Sequence, residues 1–185
     1  MEFNCRETSN TGYKWMKLLK LFFGIGLIGL VCIVAASYVS PRFFVKTAYT
    51  LVKLEFADLP EFSNQALLDL SNVQRANYIV VDVRSPAERN ISIIEGSIDQ
   101  AHFERNFDSY QKKKVVVYCT IGYRSGYYTK ALRQQGLDAY NLSEGILGWI
   151  QAGGSLVNTD GRITPKVHVY SRPWDLAVKD HVAVF

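Results

Sequence analysis

The hydrophobic residues of this chain follow one pattern near the amino terminus and another in the body. Leu21 to Val39 is an unbroken stretch of nineteen residues without a charged side chain. At about 1.5 Å per residue, a helix of this length nearly crosses the ~30 Å hydrocarbon layer of a bilayer. Three glycines and the lack of a polar face disfavour a buried amphipathic helix. We therefore predict a transmembrane helix over residues 21–39, after a polar and basic tail over residues 1–20.

From about residue 62 onward, short apolar runs alternate with stretches of helical pattern. Tyr78 to Val83 and Val115 to Cys119 are β-branched runs of the kind that parallel sheets bury. The other predicted elements are a helix capped by Ser63 over 64–70, a helical turn over 87–90, a helix over Gly126–Gln135, a strand over Ala139–Leu142 and a helix over Ile146–Ala152. This alternation predicts an α/β fold with a mostly parallel central sheet flanked by helices.

Two segments flank this body. Residues 40–61 mix aromatic, apolar and charged side chains without a readable period, and we treat them as a juxtamembrane connector. Residues 158–185 form a carboxy-terminal extension, in which the alternation of Lys166 to Tyr170 predicts an edge strand or a hairpin with Ile163. Trp174 is expected to pack against the domain or to rest at a membrane interface.

Basic residues flank the apolar stretch unevenly. Lys14, Lys17 and Lys20 precede it and Arg42 follows it, a bias that favours a cytoplasmic amino terminus with the body on the opposite side. The small residues at 34–36 leave a cleavable signal peptide as the alternative. An uncleaved single-pass anchor is favoured because the apolar run is longer than a normal signal core and a long polar segment comes before it.

Charge and metal-ligand types narrow the function classes. The net charge is +4, and only +2 without the first forty residues, so nucleic-acid binding is not predicted. Cys5 and Cys32 lie in the tail and the apolar stretch, which leaves the body without a disulfide framework. His102, His168 and His181 lack ligand spacing, so neither a metal nor a cofactor is predicted.

The third cysteine is the candidate for chemistry. Cys119 ends a predicted strand and begins a loop that runs directly into a predicted helix, so it lies at the edge of a parallel sheet where ligands bind. A glycine within this loop allows successive backbone N–H groups to curl around the sulfur and stabilise a thiolate. The loop residues are Thr120, Ile121, Gly122, Tyr123, Arg124 and Ser125. A buried cysteine that acts only as a small hydrophobe is the alternative.

The order of several motifs resembles the rhodanese family over residues 62–157. The motifs are Asp82-Val83-Arg84, then Glu88, Ile94 to Ile98, Cys119 to Ser125, Asn141-Leu142 and Gly145 to Trp149. The resemblance implies a rhodanese-like domain that takes a sulfane sulfur onto Cys119 as a persulfide. It also implies a partner that supplies the sulfur, either a small donor such as thiosulfate or a protein persulfide, and an acceptor such as cyanide or a thiol.

The resemblance also assigns supporting roles. Arg124 helps to shape the loop and bind an anionic donor, or it forms a structural ion pair with Glu88. Asp82 and Arg84 are expected to be scaffold residues near the site, and Trp149 a core aromatic residue.

Two departures from the family pattern bear on the donor. Ile93 stands where many relatives have histidine, and Glu144-Gly145 where they have two glycines. An acidic Glu144 near the pocket mouth, together with the uncharged Ile121 and Tyr123, would disfavour a small anion such as thiosulfate. The sequence therefore favours a protein persulfide or a persulfide of low molecular weight as the donor.

Other classes of protein share the central feature. A cysteine phosphatase or an arsenate reductase also combines a thiolate with an arginine, but the phosphatase loops that resemble this one hold five residues between them, and this loop holds four. A membrane-tethered module that binds a partner, or senses oxidation through Cys119, is the non-enzymatic alternative.

Overall fold

The computed structural model describes residues 7–185, with side chains from residue 14 onward. The chain divides after Ser40 into two compact units. The first contains a single long helix, α1 (Glu7–Val39). Within it, Lys14–Val39 is long and apolar enough to cross a membrane, and none of this stretch is buried. The helix thus begins well before Leu21 and takes in most of the predicted tail. Lysine, leucine and methionine favour a helix over residues 14–20, and no proline interrupts the segment. Cys5 and Arg6 lie outside the described residues.

The second unit, residues 41–185, alternates helices and strands. Its helices are α2 (Pro41–Glu55), α3 (Asn64–Leu68), α4 (Asn72–Arg75), α5 (Pro86–Ile91), α6 (Gln100–Arg105), α7 (Phe107–Tyr110), α8 (Tyr123–Gln134), α9 (Gly145–Gln151) and a 3-10 turn over Trp174–Ala177. Its strands are β1 (Glu61–Phe62), β2 (Tyr78–Asp82), β3 (Ile93–Ile94), β4 (Ile98–Asp99), β5 (Lys114–Tyr118), β6 (Ala139–Leu142), β7 (Leu156–Val157), β8 (Lys166–His168) and β9 (Val182–Val184).

A parallel sheet forms the centre of this unit, as predicted. Five strands lie in the order β1-β6-β5-β2-β4, and every neighbouring pair is parallel. The central strand β5 is apolar on both faces because helices cover both sides of the sheet. Its successive side chains point to opposite faces, so Val116 and Tyr118 join one core cluster while Val115 and Val117 join the other.

Helix starts in this unit follow local capping chemistry. The Ser63 hydroxyl accepts a hydrogen bond from the Ala66 N–H at the start of α3, as the sequence predicted. The Ser85 hydroxyl and the Glu88 carboxylate form a capping box at the start of α5, with Pro86 in its first turn. This box fixes the position of Glu88, which is important for the site.

The connector has more structure than the sequence indicated. Residues 41–55 form the helix α2, in which Val45 and Tyr49, one turn apart, point into the core. Phe44 of the same helix meets Trp174 edge-on, with ring centroids 5.6 Å apart. Residues 41–55 do carry a helical period, with Val45 and Tyr49 on the buried face, which the sequence reading missed. Tertiary packing of that face stabilises the helix.

The carboxy-terminal extension also differs from one expectation. β8 forms a strand, but it pairs in parallel with β9 rather than in a hairpin with Ile163. Ile163 instead forms an antiparallel bridge with Val157. The hairpin was wrong because the strand that pairs with β8 lies further along the chain, after the 3-10 turn. Trp174 follows the packing alternative in its contact with Phe44.

Candidate active site around Cys119

Cys119 directly follows the central strand β5, at the carboxyl edge of the sheet. Its side chain is buried, with a relative exposure of 1%. The Cys119 carbonyl accepts a hydrogen bond from the Ile146 N–H at 2.9 Å, which ties it to the start of α9. A Cβ at Gly145 would lie 2.5 Å from that carbonyl oxygen, so only glycine permits this close approach. The main chain at Cys119 is therefore held closely against the start of α9.

The loop turns sharply at Gly122. This residue has φ +103°, in the left-handed region, and its N–H donates to the Cys119 Sγ at 3.2 Å. The left-handed turn places Tyr123 in the first turn of α8, so the helix begins three residues earlier than Gly126, where the sequence placed its start. A Cβ at Gly122 would lie 2.7 Å from the ring of Tyr49, so α2 packs directly on the loop.

Ser125 and Asn141 hold the loop from the other side. The Ser125 hydroxyl lies 2.7 Å from Asn141 Oδ1 and 3.5 Å from the Cys119 Sγ. A hydroxyl has one proton to donate, and the shorter contact to the amide is the stronger one. The Asn141 amide nitrogen in turn donates to the Gly122 carbonyl at 2.9 Å. Asn141 therefore links β6 to Gly122 in the loop and to Ser125 in the first turn of α8.

Arg124 forms the ion pair that was one of its two expected roles. Its guanidinium donates to both Glu88 oxygens, at 2.8 and 2.7 Å, and to the Thr120 hydroxyl at 3.1 Å. Glu88 is almost fully buried and also accepts the Ser85 N–H at 2.9 Å. The Arg124 side chain is 39% exposed. Its central carbon lies 5.9 Å from the ring centroid of Tyr170, which lines the same cavity.

The electrostatics of this pair are strongly favourable. Burial pushes the pKa of Glu88 upward, but the hydrogen bonds from Arg124 and Ser85 outweigh it and hold the pKa at about 2. The pKa of Arg124 is raised chiefly by its hydrogen bond to Glu88, with the nearby Cys119 sulfur adding to the effect. Both groups are therefore charged at neutral pH, and their charges cancel.

Asp82 and Arg84 form a separate, fully buried pair. The Arg84 guanidinium donates to Asp82 at 2.7 Å and to the Ser92 carbonyl at 2.7 Å. Its central carbon lies 5.4 Å from the ring centroid of Tyr118, the residue before Cys119. These contacts join β2 to the segment after α5, which is a scaffold role beside the site.

A cavity of about 490 Å³ opens beside Cys119. It is lined by Ala48, Leu51, Val52, Cys119, Thr120, Ile121, Tyr123, Arg124, Tyr170 and Trp174. Half of these residues lie outside the loop, on α2 and in the carboxy-terminal extension. No local pattern indicates that these five residues belong to the site, because they lie far from Cys119 in the sequence. The polar Asn141 at the carboxyl end of a buried strand is a residue that such reasoning could have assigned to the site.

Glu144 lies elsewhere. It lines a second cavity, with Arg42 and Lys46 among its neighbours, and is not among the residues that line the cavity of Cys119. Burial raises the pKa of its carboxyl, against the opposing effect of Lys46. The prediction of an acidic group at the mouth of the Cys119 cavity was therefore wrong, because Glu144 adopts a left-handed conformation that turns its side chain towards α2. Ile93 pairs with Val157 in the small β3-β7 sheet.

Known proteins are similar in sequence to the part of the chain that contains this site. Residues 63–152 match the family model of the rhodanese-like domain. A tRNA uridine(34) hydroxylase of Acinetobacter baylyi is 28% identical over 89 residues, which are 43% of this chain and 28% of that protein. The chain thus spans less than a third of the length of that curated relative.

Two solved structures are similar to parts of this chain, and the first of them supports the fold. The thiosulfate sulfurtransferase from Pseudomonas aeruginosa is 24% identical, with a TM-score of 0.51, over 64% of this chain and 23% of that one. A rhodanese-related protein from Thermoplasma volcanium is 29% identical, with a TM-score of 0.46, over 53% of this chain and 97% of that one. With the family match, the parallel sheet and the cysteine loop at its carboxyl edge, residues 63–152 of this chain form a rhodanese-like domain.

Proposed function

We propose that this protein is a sulfurtransferase that carries a sulfane sulfur on Cys119 as a persulfide. The observation that supports it best is the position of the Cys119 sulfur within the rhodanese-like domain. The sulfur accepts the Gly122 N–H at 3.2 Å, lies near Arg124 and borders a cavity large enough for a small molecule. A donor can approach the sulfur through this cavity.

The loading step follows from this arrangement. The Cys119 thiolate attacks the outer sulfur of a donor such as thiosulfate, and a new S–S bond forms between them. The S–S bond within the donor breaks, and its electron pair leaves with sulfite. The Gly122 N–H is preorganised to stabilise negative charge on sulfur, because the left-handed turn and Asn141 hold it in place before the donor arrives.

The unloading step returns the thiolate. An acceptor thiolate attacks the outer sulfur of the persulfide, the bond from that sulfur to Cys119 breaks, and its electron pair stays on Cys119. No oxidant or reductant is consumed, because the sulfur passes from one sulfur atom to another. Arg124 lies beside Cys119 with its charge balanced by Glu88, so it can stabilise the persulfide anion without holding it too tightly.

Intact mass spectrometry of the full-length chain tests this proposal. Wild type and Cys119→Ser are reduced, incubated with thiosulfate, inorganic tetrasulfide or glutathione persulfide, and desalted. A gain of one sulfur atom on wild type alone, removed by cyanide, is the expected result. A folded, reduced wild type that gains no sulfur from any of these donors would sink the proposal and favour a binding or redox-sensing module.

We also propose that α1 anchors the protein in a membrane as an uncleaved single span. The support is the length and apolar composition of Lys14–Val39, together with the basic bias before it. Sodium carbonate extraction should leave the full chain in the membrane fraction. Its intact mass distinguishes an anchor from a signal peptide, since cleavage near residues 34–36 would remove the span. Protease protection in sealed vesicles would then assign the side on which the body lies.

A further inference from the structure

The walls of the Cys119 cavity are largely apolar. Ala48, Leu51 and Val52 of α2 face Ile121 of the loop and Trp174 of the extension across the same space. Small-molecule sites of 300–1,000 Å³ generally combine such apolar walls with a few polar groups that orient the ligand. At about 490 Å³, the cavity holds far more than a small inorganic sulfur anion needs.

The charge at the cavity does not suit a free dianion. Among the described residues that line the cavity, Arg124 carries the only cationic side chain. Both arms of its guanidinium donate to the buried Glu88, so the pair is close to neutral. A thiosulfate dianion would have to leave water for an apolar space without an unbalanced cation, which is unfavourable.

The reacting sulfur lies at the bottom of this space. The Cys119 side chain is only 1% exposed, while Leu51 and Tyr170 are each 67% exposed. A reactant must therefore insert its sulfur past apolar side chains, and an alkyl chain behind that sulfur would remain in contact with them. Each buried methylene contributes favourably to such a contact.

We infer that the Cys119 cavity selects an organic thiol or persulfide with an apolar, uncharged body as its sulfur-exchange partner. This inference rests on the proposed persulfide chemistry and adds the substrate class to it. With such an acceptor, R–S⁻ attacks the outer sulfur of the Cys119 persulfide, R–S–S⁻ or its protonated form leaves, and the Cys119 thiolate is restored. The R group lies against Leu51, Val52 and Trp174.

The test measures unloading of the full-length protein after Cys119 is loaded with inorganic tetrasulfide. The acceptors are 1-propanethiol, 1-butanethiol and 1-pentanethiol, whose thiol groups are chemically alike. Each rate is divided by that of the same thiol with free cysteine persulfide in the same buffer, which corrects for intrinsic reactivity and for partition into detergent. We expect the corrected second-order rate constant to rise by about fourfold per methylene, the equivalent of ~0.8 kcal/mol.

A polar isostere tests the same contact. In 3-mercaptopropan-1-ol a hydroxyl replaces the last methyl of 1-butanethiol, so length and thiol group are kept. We expect this acceptor to be slower by about tenfold, because its hydroxyl would be buried without a hydrogen-bond partner. The anionic 3-mercaptopropanesulfonate should be slower still.

Two matched variants connect the effect to the cavity. Leu51 and Leu54 lie on α2 and are similarly exposed, at 67% and 75%, but of the two only Leu51 lines the cavity. Leu51→Asn should reduce the increase in the corrected rate constant to about twofold per methylene of the thiol, whereas Leu54→Asn should leave that increase unchanged. Both positions are exposed enough for the variants to fold.

The outcomes separate this inference from the proposed function. If Cys119 loads and transfers sulfur but the corrected rates are independent of chain length, the substrate class is wrong and the sulfurtransferase stands. The same conclusion follows if the hydroxyl or sulfonate thiol is the faster acceptor, or if Leu54→Asn has as large an effect as Leu51→Asn. If Cys119 never gains sulfur from tetrasulfide, the proposed function itself fails.

Discussion

Replacing Glu88 with glutamine should weaken the fold and remove part of its acid sensitivity. The carboxylate accepts two hydrogen bonds from Arg124 at 2.7 and 2.8 Å and is only 2% exposed. Glutamine keeps the size of the side chain, but it is uncharged and its amide has only one oxygen that can accept hydrogen bonds from the guanidinium. The Arg124 charge would then be left beside a buried neutral amide.

The magnitude follows from the geometry of the pair. Removing one partner of a fully buried ion pair costs about 3–5 kcal/mol. Arg124 is 39% exposed, so water screens part of the charge that would be left behind. We therefore expect Glu88→Gln to lower the free energy of unfolding by about 1–3 kcal/mol. For a unit of this size, the midpoint of thermal unfolding should fall by about 2–4 °C per kcal/mol.

The pH dependence has a defined direction. The pKa of Glu88 is lowered from 4.5 to about 2 in the folded protein. A carboxylate with a lowered pKa stabilises the folded state fully above its unfolded pKa, and the effect is lost as pH falls towards the folded value. The difference in stability between wild type and Glu88→Gln should therefore be constant at neutral pH. It should shrink between about pH 4.5 and pH 2.

Tryptophan fluorescence during urea unfolding, to which the buried Trp149 contributes, reports this difference for the full-length protein at a series of pH values. Glu95→Gln is the control, because Glu95 is an exposed carboxylate outside the site. A Glu88→Gln protein as stable as wild type at pH 7 would refute the reasoning. So would a stability difference that stays the same from pH 7 to pH 2, because the lost energy would then not depend on the carboxylate charge.

Three further substitutions address the parts of the site one at a time. Gly122→Ala should destabilise the protein by about 1–3 kcal/mol and slow persulfide loading, because the residue has φ +103° and its Cβ would meet Tyr49. Partial rescue of stability by Tyr49→Ala in the double variant checks the steric part of this effect. Asn141→Ala should slow persulfide loading by about tenfold, an increase of ~1.4 kcal/mol in the activation free energy, because Asn141 no longer holds Ser125 and Gly122 by hydrogen bonds. Loading at the wild-type rate would contradict this role. Asp82→Asn should lower the free energy of unfolding by about 3–5 kcal/mol, because it leaves the Arg84 charge buried without its partner, while the folded fraction should still load sulfur onto Cys119. If fully folded protein failed to load, the Asp82–Arg84 pair would instead take part in the reaction.

The features that the sequence determined are those encoded by neighbouring residues. The apolar run Val115–Tyr118 predicts a buried parallel strand, because only a strand covered on both faces places all of its side chains in a core. Ser63 caps its helix through a hydrogen bond that spans three residues. The cysteine, glycine and arginine of the loop are likewise close in sequence, so their position in one loop after β5 could be predicted before the fold was known.

The features that only the tertiary structure decided depend on residues far apart in the chain. Glu88 and Arg124 are 36 positions apart, and the sequence left the role of Arg124 open between an ion pair and a donor site. The apolar walls beside Cys119 come from α2 and from the extension after residue 157, which show no local relation to the loop. Glu144 is close in sequence to Gly145, which contacts the loop, yet its side chain lies in another cavity. Local patterns specify helices and strands because helix propensity and capping act over a few residues. The composition of a cavity depends on how separate helices and strands pack, and short-range sequence patterns do not record that packing.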